Sequence, residues 1–312
     1  MRPVGSLLAL LVAAALAGCG LGPGDEPADT RLTVTDGYGA RPVQRVEAPE
    51  VAGEETVMRL LQRNAKVGTR FGGGFVQSID GHAGGRAAGR PVDWFFYVNG
   101  VEAEEGAAAV RVRDGDRIWW DRHDWGKASR VPAVVGSFPE PFLHGIDGRR
   151  LPVRVECAEA GLQACRDVQR RLTAFEIPAS LGRLRSVATT DTLRIVVGRW
   201  AVIRGDVGVA TLEQGPQDSG VFARPSEDGR RIALLDARGR TRRTLGARAG
   251  LVAATRAGGD PPLWVVTGTD DAGVASAAQA FDEGPLTDRF ALAVADGLGV
   301  PLPVGERRAP RS

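Results

Sequence analysis

The chain has 312 residues and a formal net charge of +2 at pH 7. This length accommodates about two domains, each with a sizeable hydrophobic core. The nearly balanced charge excludes the strongly basic surface of a typical nucleic-acid-binding protein, so we expect no nucleic-acid partner.

Residues 1–18 have the form of a bacterial export signal. Arg2 precedes an apolar run over residues 7–16, which is too short for a spanning helix of ~20 residues. The run ends in Leu-Ala-Gly-Cys, which resembles the bacterial lipobox and implies cleavage before Cys19 and a diacylglycerol on its thiol. Residues 19–30 are rich in Gly and Pro and predict a lipidated, flexible tether. We expect a protein on the extracytoplasmic face of the cell membrane, anchored to the lipid bilayer through Cys19; the alternative is a plain signal peptide with a chance cysteine.

The other two cysteines are Cys157 and Cys165. In an exported protein an even pair predicts a disulfide, here closing a small loop. Free buried thiols are the alternative. A zinc site is disfavoured because no further Cys or His lies nearby in the sequence, and we expect no metal site.

The first domain is predicted over residues 31–126, where strand and helix patterns alternate in chain order. Apolar and polar residues alternate over 31–35, up to a turn signal at Asp36-Gly37. A second strand is expected over 43–46 and a helix over 54–66, whose apolar residues lie at helical spacing on one face. A strand over 75–79 follows three consecutive glycines, which permit a bulge or a close backbone approach.

Residues 93–125 concentrate the aromatic side chains of this domain. Asn99-Gly100 and Asp114-Gly115 are turn signals, so we predict one β-hairpin or two adjacent hairpins. Strand alternation places Trp94 and Phe96 on one side of the sheet and Phe95 and Tyr97 on the other. One side is core beneath the helix; the other is a ligand or partner surface, or is covered by the second domain. The candidate ligand-binding residues are Phe75, Trp94, Phe96, Tyr97, Trp119, Trp120, His123 and Trp125.

The motifs over residues 71–79, 94–101 and 112–120, together with Gly106, resemble the transcobalamin-like C-terminal domain family. The resemblance implies a β-grasp fold that binds a small soluble ligand. It suggests a corrinoid as a possible ligand and a membrane importer as a possible partner. His123 lies beside the aromatic residues in the sequence; we expect a solvent-exposed or hydrogen-bonded side chain, and the alternative is a group that approaches a ligand or a corrinoid cobalt. In the cobalamin carriers of this family an α-helical barrel precedes the β-domain and supplies most of the grip. No such barrel precedes residue 30, so from this family we expect the chain to share only the surface-displayed β-grasp domain that binds a soluble ligand.

Residues 127–150 hold several prolines and glycines and predict a linker that runs extended over the surface. Residues 151–304 follow as an α/β domain with a mixed sheet, and residues 305–312 as a disordered tail. In this domain we predict a helix over 272–281, capped by Asp270 or Thr269, and further helices over 161–175 and 201–214. Strands are predicted over 151–157, 193–197, 221–223, 232–236, 263–267 and 290–294. The fold class is therefore α+β, with a β-grasp-like domain followed by an α/β domain.

Motifs of nucleophilic catalysis are missing from the sequence, since it has neither Gly-x-Ser-x-Gly nor Ser-x-x-Lys. Three separated histidines also lack metal-ligand spacing. We therefore expect no catalytic residues and a non-catalytic binding module for a small cofactor-like ligand, requiring no cofactor of its own. The rivals are a surface protein that contacts other proteins or the cell wall, and an uncharacterised hydrolase that uses the second domain.

Overall fold

The computed structural model describes residues 30–49, 53–184 and 190–305, and the fold is α+β, as predicted. The predicted signal peptide, Cys19, most of the tether and most of the tail lie outside these residues. None of the helices in the described ranges is long and apolar enough to cross a membrane.

The secondary-structure elements are labelled in chain order. The strands of the first part are β1 (Arg31–Asp36), β2 (Arg41–Glu47), β3 (Val67–Arg70), β4 (Phe75–Ile79), β5 (His82–Ala83), β6 (Gly85–Ala87), β7 (Arg90–Val98), β8 (Val101–Glu102) and β9 (Arg117–Asp124). Those of the second part are β10 (Val153–Cys157), β11 (Ala179–Arg183), β12 (Leu193–Arg199), β13 (Ala223–Pro225), β14 (Ile232–Leu235), β15 (Thr241–Leu245), β16 (Gly250–Thr255), β17 (Leu263–Gly268), β18 (Ala291–Ala295) and β19 (Leu298–Leu302). The α-helices are α1 (Val57–Asn64), α2 (Gln163–Ala174), α3 (Trp200–Ile203), α4 (Val207–Ala210), α5 (Pro216–Ser219), α6 (Asp271–Gln279) and α7 (Glu283–Leu286).

The sheet of the first domain has a β-grasp arrangement, with strand order β2-β1-β9-β7-β6 and β8 paired with β7. Its central pair, β1 and β9, is parallel, and the other pairs are antiparallel. Asn99 and Gly100 have φ values of 53° and 77° and form the tight turn between β7 and β8, as positive φ at both positions of a two-residue hairpin requires. Strands β3, β4 and β5 form a separate small sheet.

Helix α1 covers one face of this sheet. Thr56 caps it by accepting a hydrogen bond from the Arg59 amide, 3.3 Å away. The helix therefore starts at Val57, three residues later than the predicted start, because the capping residue stands outside the first turn. Its buried side chains, which include Leu60 and Leu61, meet the strands.

The second domain is built on a seven-stranded mixed sheet of order β11-β10-β12-β17-β16-β18-β19. The first four strands in this order are parallel and the remaining pairs are antiparallel. Helices α2 and α6 share a core with one face. A small antiparallel sheet of β13, β14 and β15 and the short helices α3 and α4 cover part of the other face.

Two details of the second domain confirm expectations. A disulfide joins Cys157, at the end of β10, to Cys165 in α2. Asp270 caps α6 by accepting a hydrogen bond from the Gly273 amide at 2.8 Å.

The prediction of one helix over residues 201–214 was wrong. The segment is divided into α3, α4 and a 3₁₀ turn over Thr211–Gln214. Asp206 makes the division, because its carboxylate accepts hydrogen bonds from the amides of Gly208 and Val209 and so starts a new helix. Strands β11, β15, β16 and β19 were also missed, as were β3, β5 and β6 of the first domain.

The expectation that residues 131–148 run over the surface was wrong as well. Val131, Val134, Val135, Phe138 and Phe142 are all buried. They contribute to the cores on both faces of the seven-stranded sheet. The prolines here stiffen a segment whose large apolar side chains are core, so Pro content alone did not indicate exposure.

Candidate functional site

The aromatic side chains of β7 and β9 divide between the two faces of the first sheet. Trp94, Phe96 and Trp120 face α1 and share a core with its apolar side chains. Tyr97 and Trp119 point to the opposite face. The period of two along a strand explains the division.

The face opposite α1 is covered by the second domain. Phe290, the residue before β18, lies at its centre, and its ring centroid is 5.0 Å from that of Tyr38, 5.1 Å from Trp119 and 5.6 Å from Tyr97. All four side chains are buried in one core that spans the two domains. The sequence left open whether this face is a ligand or partner surface or is covered by the second domain. In the structure it is covered by the second domain.

His123 is held rigidly within the same interface. Its ring stacks between those of Tyr38 and Phe95, with both centroid distances 4.4 Å, and is only 2% exposed. Its Nδ1 atom lies 2.9 Å from a carboxylate oxygen of Asp121. That carboxylate also accepts hydrogen bonds from the Thr35 hydroxyl and from two amides of the β1–β2 turn. The imidazole thus serves as a buried link in the packing of the two domains.

The remaining two candidate residues lie apart from these faces. Trp125 is 38% exposed and donates its indole N–H to Asp93 at 3.0 Å. Phe75 is 37% exposed and contacts Phe71. The eight candidate residues therefore occupy three environments, two buried faces and an exposed periphery, and do not line one pocket.

An open cavity of about 350 Å³ lies at the edge of the interdomain contact. The first domain contributes the end of β7, strand β8 and the loop over residues 103–113. The linker contributes Ile146 and Asp147, and the second domain contributes Arg256, which follows β16. Three segments distant in sequence therefore meet here, and ligand pockets occur preferentially where domains meet.

The cavity is lined by charges of both signs. The charged lining residues are Glu102, Glu104, Glu105, Arg111, Arg113, Asp147 and Arg256. Glu104 accepts an ion-paired hydrogen bond from Arg256 at 3.1 Å, which joins the two domains across the cavity. Arg256 also donates its Nε–H to the carbonyl of Asp260 at 2.5 Å, so its guanidinium is held in place.

Glu102 connects the cavity to the aromatic interface. It pairs directly with Tyr97 in the ladder between β7 and β8. Burial raises the pKa of its carboxyl, although Arg130 nearby and a hydrogen bond from the Val131 amide oppose that shift. Burial likewise raises the pKa of the Tyr97 hydroxyl well above its ordinary value, and the charge of Glu102 adds to the rise. A ligand that brings a positive charge or a hydrogen-bond donor to Glu102 would lower the free-energy cost of burying its ionised carboxyl group.

Sequence reasoning identified none of the cavity residues. Glu102 and Glu104 follow the Asn99-Gly100 turn in an ordinary polar loop, and Arg256 is one of many arginines. These residues can be identified as candidates only because the folded chain brings them together around the cavity. Among the described residues, no group of three or more His, Cys, Asp or Glu side chains is arranged to hold a metal ion.

Comparison with known proteins finds a family match within the first domain. Residues 54–124 match the model of a family described as a domain of unknown function (DUF4430). The match starts just before α1 and ends at the last residue of β9. No curated protein matches the chain significantly. The first domain is thus similar to DUF4430 over its helix and its aromatic strands.

Proposed function

We propose that this protein is a lipid-anchored, extracytoplasmic, non-catalytic binding protein. It takes a small, polar, cofactor-like molecule into the cavity between its two domains and passes it to a membrane importer. The observation that carries the proposal is the meeting of three distant segments around a charged cavity. The lipid anchor rests on the sequence around Cys19.

The size and charge of the cavity define the ligand class. A volume of about 350 Å³ lies at the lower end of the range of ~300–1,000 Å³ for small-molecule sites. Carboxylates such as Glu102 and guanidinium groups such as Arg113 line the same space. This arrangement suits a compact molecule that carries groups of both signs.

A corrinoid is the narrower version of the proposal. It is supported by the resemblance of residues 71–79, 94–101 and 112–120 to transcobalamin-like domains, which agrees with the DUF4430 match. The aromatic face that would hold a corrinoid against the second domain is buried. A corrinoid would therefore bind only if the two domains separated, whereas a smaller molecule enters the cavity without such a movement.

The test is thermal stabilisation of the mature chain by three probes. These are cobalamin, cobinamide and thiamine monophosphate, the last a compact zwitterion. We expect the zwitterion to raise the melting temperature and Arg256→Gln to weaken its binding about tenfold, because a charge-assisted hydrogen bond is lost. Arg166→Gln, on the exposed face of α2, is the matched control and should leave binding unchanged.

The outcomes separate the versions of the proposal. Stabilisation by cobalamin or cobinamide alone, with a shift in the visible spectrum, would select the corrinoid version. If none of the three probes stabilises the protein at high micromolar concentration, the proposed ligand class is wrong. The anchor is tested separately, since Cys19→Ser should abolish palmitate labelling; continued labelling would refute the anchor.

A further inference from the structure

Two phenylalanines flank the three consecutive glycines of the first domain and face solvent. Phe71 is 87% exposed, and its ring meets that of Phe75 edge to face at 6.2 Å. Phe71 has a φ of 52°, in the left-handed region that bulky residues avoid. The next two residues, Gly72 and Gly73, also have positive φ. The turn thus holds a large apolar ring away from the core in an unfavourable backbone conformation, which is typical of segments kept for contact.

The loop over residues 71–75, here called the Phe loop, lies at the end of the sheet where β1 begins. Leu32, the second residue of β1, pairs with Ile118, which pairs in turn with Val98 at the end of β7. The loop over residues 103–110 leaves from this end, and Gly106 lies against the carbonyl of Gly74. The Phe loop is therefore on the same side of the domain as the entry of the chain from Cys19.

The length of the tether keeps this side of the domain close to the bilayer. Ten residues lie between Cys19 and Thr30, so the chain makes eleven steps of ~3.3–3.6 Å and spans at most about 40 Å. If Cys19 is lipidated, the bilayer is the apolar surface that the Phe loop meets at the highest effective concentration.

The charges beside the Phe loop suit a headgroup layer. Arg70, immediately before Phe71, is exposed and can meet lipid phosphates. Glu105, on the neighbouring loop, is exposed as well and opposes attraction to anionic lipids, so the two phenylalanine rings must carry most of the contact. Aromatic rings next to a basic side chain are characteristic of residues at a membrane interface.

We propose that the Phe loop is a second, non-covalent membrane contact, in which Phe71 and Phe75 enter the headgroup region of the bilayer. This inference rests on the lipid anchor of the proposed function for its distance argument, and is independent of the ligand. The contact fixes the orientation of the first domain, with its N-terminal end toward the membrane.

The experiment places an environment-sensitive fluorophore, nitrobenzoxadiazole, beside the Phe loop. Thr69 is exposed in β3, and Thr69→Cys carries the label while both phenylalanines remain. The mature chain is prepared with Cys19→Ser and an N-terminal histidine tag that holds it on nickel-chelating lipids in the vesicles, so that the tether stays attached to the bilayer without acylation. We expect a blue shift and a several-fold rise in emission on adding phosphatidylcholine–phosphatidylglycerol vesicles, and loss of most of that response in Phe71→Ser.

The matched control is the same label at Leu298→Cys. Leu298 is 71% exposed but belongs to the second domain, and the label there should not respond. Equal responses at the two positions, or a response at residue 69 that survives Phe71→Ser with Phe75→Ser, would overturn the proposal. No response at either position would also overturn it. Palmitate labelling reports separately on the anchor, so failure of the anchor and failure of the loop contact are distinguishable.

Discussion

The two faces of the β-grasp sheet carry the same kind of side chain but are covered by different parts of the chain. Trp94 and Trp120 are covered by α1, which lies earlier in the same domain. Tyr97 and Trp119 are covered by Phe290 and its neighbours, from the far end of the second domain. Local amphipathicity indicates the first cover, whereas nothing local indicates the second.

The comparison shows where binding can occur in this protein. Because both aromatic faces of the sheet are buried, the aromatic residues of β7 and β9 stabilise the first domain and its contact with the second domain. The groups available to partners lie at the periphery, in the cavity beside Glu102 and on the Phe loop. The concentration of aromatic residues therefore indicated the fold of the first domain, whereas the candidate binding surfaces could be identified only from the folded structure.

The largest expected effect comes from breaking the interdomain face. Phe290→Ala removes the ring that contacts Tyr38, Tyr97 and Trp119 and should lower the free energy of unfolding by about 3–5 kcal/mol. Urea unfolding followed by tryptophan fluorescence measures the loss. Hydrogen exchange should accelerate in both domains; acceleration in the second domain alone would contradict a shared core.

The helix-covered face gives a smaller and more local effect. Leu61 is fully buried between α1 and the sheet, and Leu61→Ala should cost about 3 kcal/mol through lost burial and a residual cavity. Hydrogen exchange should increase in β1 and β9 and stay unchanged in the seven-stranded sheet. A matching increase in both domains would show that the two faces are not energetically separate.

The next effect is a pH dependence at the edge of the sheet. Burial raises the pKa of Asp116 to about 6, from an ordinary value of 3.8, against the hydrogen bonds from the Arg113 amide and Asn99. A raised carboxyl pKa stabilises the fold below the unfolded value, and that contribution is lost as pH rises through the folded value. From pH 4 to pH 7 the wild type should lose on the order of 2 kcal/mol relative to Asp116→Asn.

Unfolding free energies of the two proteins at several pH values measure this difference. Asp116→Asn sacrifices one acceptor, so a constant offset between the two curves is expected and only their slopes are compared. Parallel curves between pH 4 and pH 7 would show that Asp116 is not the responsible group.

The smallest effect on stability is expected at the Phe loop. Phe71→Ser replaces an aromatic ring that contacts little besides Phe75 and should change the free energy of unfolding by less than about 0.5 kcal/mol. Urea unfolding of the purified variant provides the value. A loss approaching that of Leu61→Ala would mean that Phe71 belongs to the core.

Much of the fold could be predicted from local patterns. The helical spacing of Val57, Leu60 and Leu61 predicted α1, and Asn99-Gly100 predicted the turn after β7. The disulfide was predicted from an even pair of cysteines in a chain whose first residues resemble an export signal. These features depend on residues close in sequence or on a chemistry with few partners. The path of residues 131–148 was mispredicted because packing against distant residues decides it. Strands β15, β16 and β19 were missed although each pairs with a strand adjacent to it in sequence, and β11 was missed as well.

The sequence by itself determined the alternation of the aromatic strands, because side chains on a strand must point to opposite faces. It also determined that one of those faces would be core, because α1 has an apolar side that must be buried. Only the tertiary structure decided that the other face is covered by Phe290, and that Glu104 and Arg256 meet across a cavity. These contacts join residues more than 150 positions apart, and no local periodicity records which distant surface will complete an apolar face.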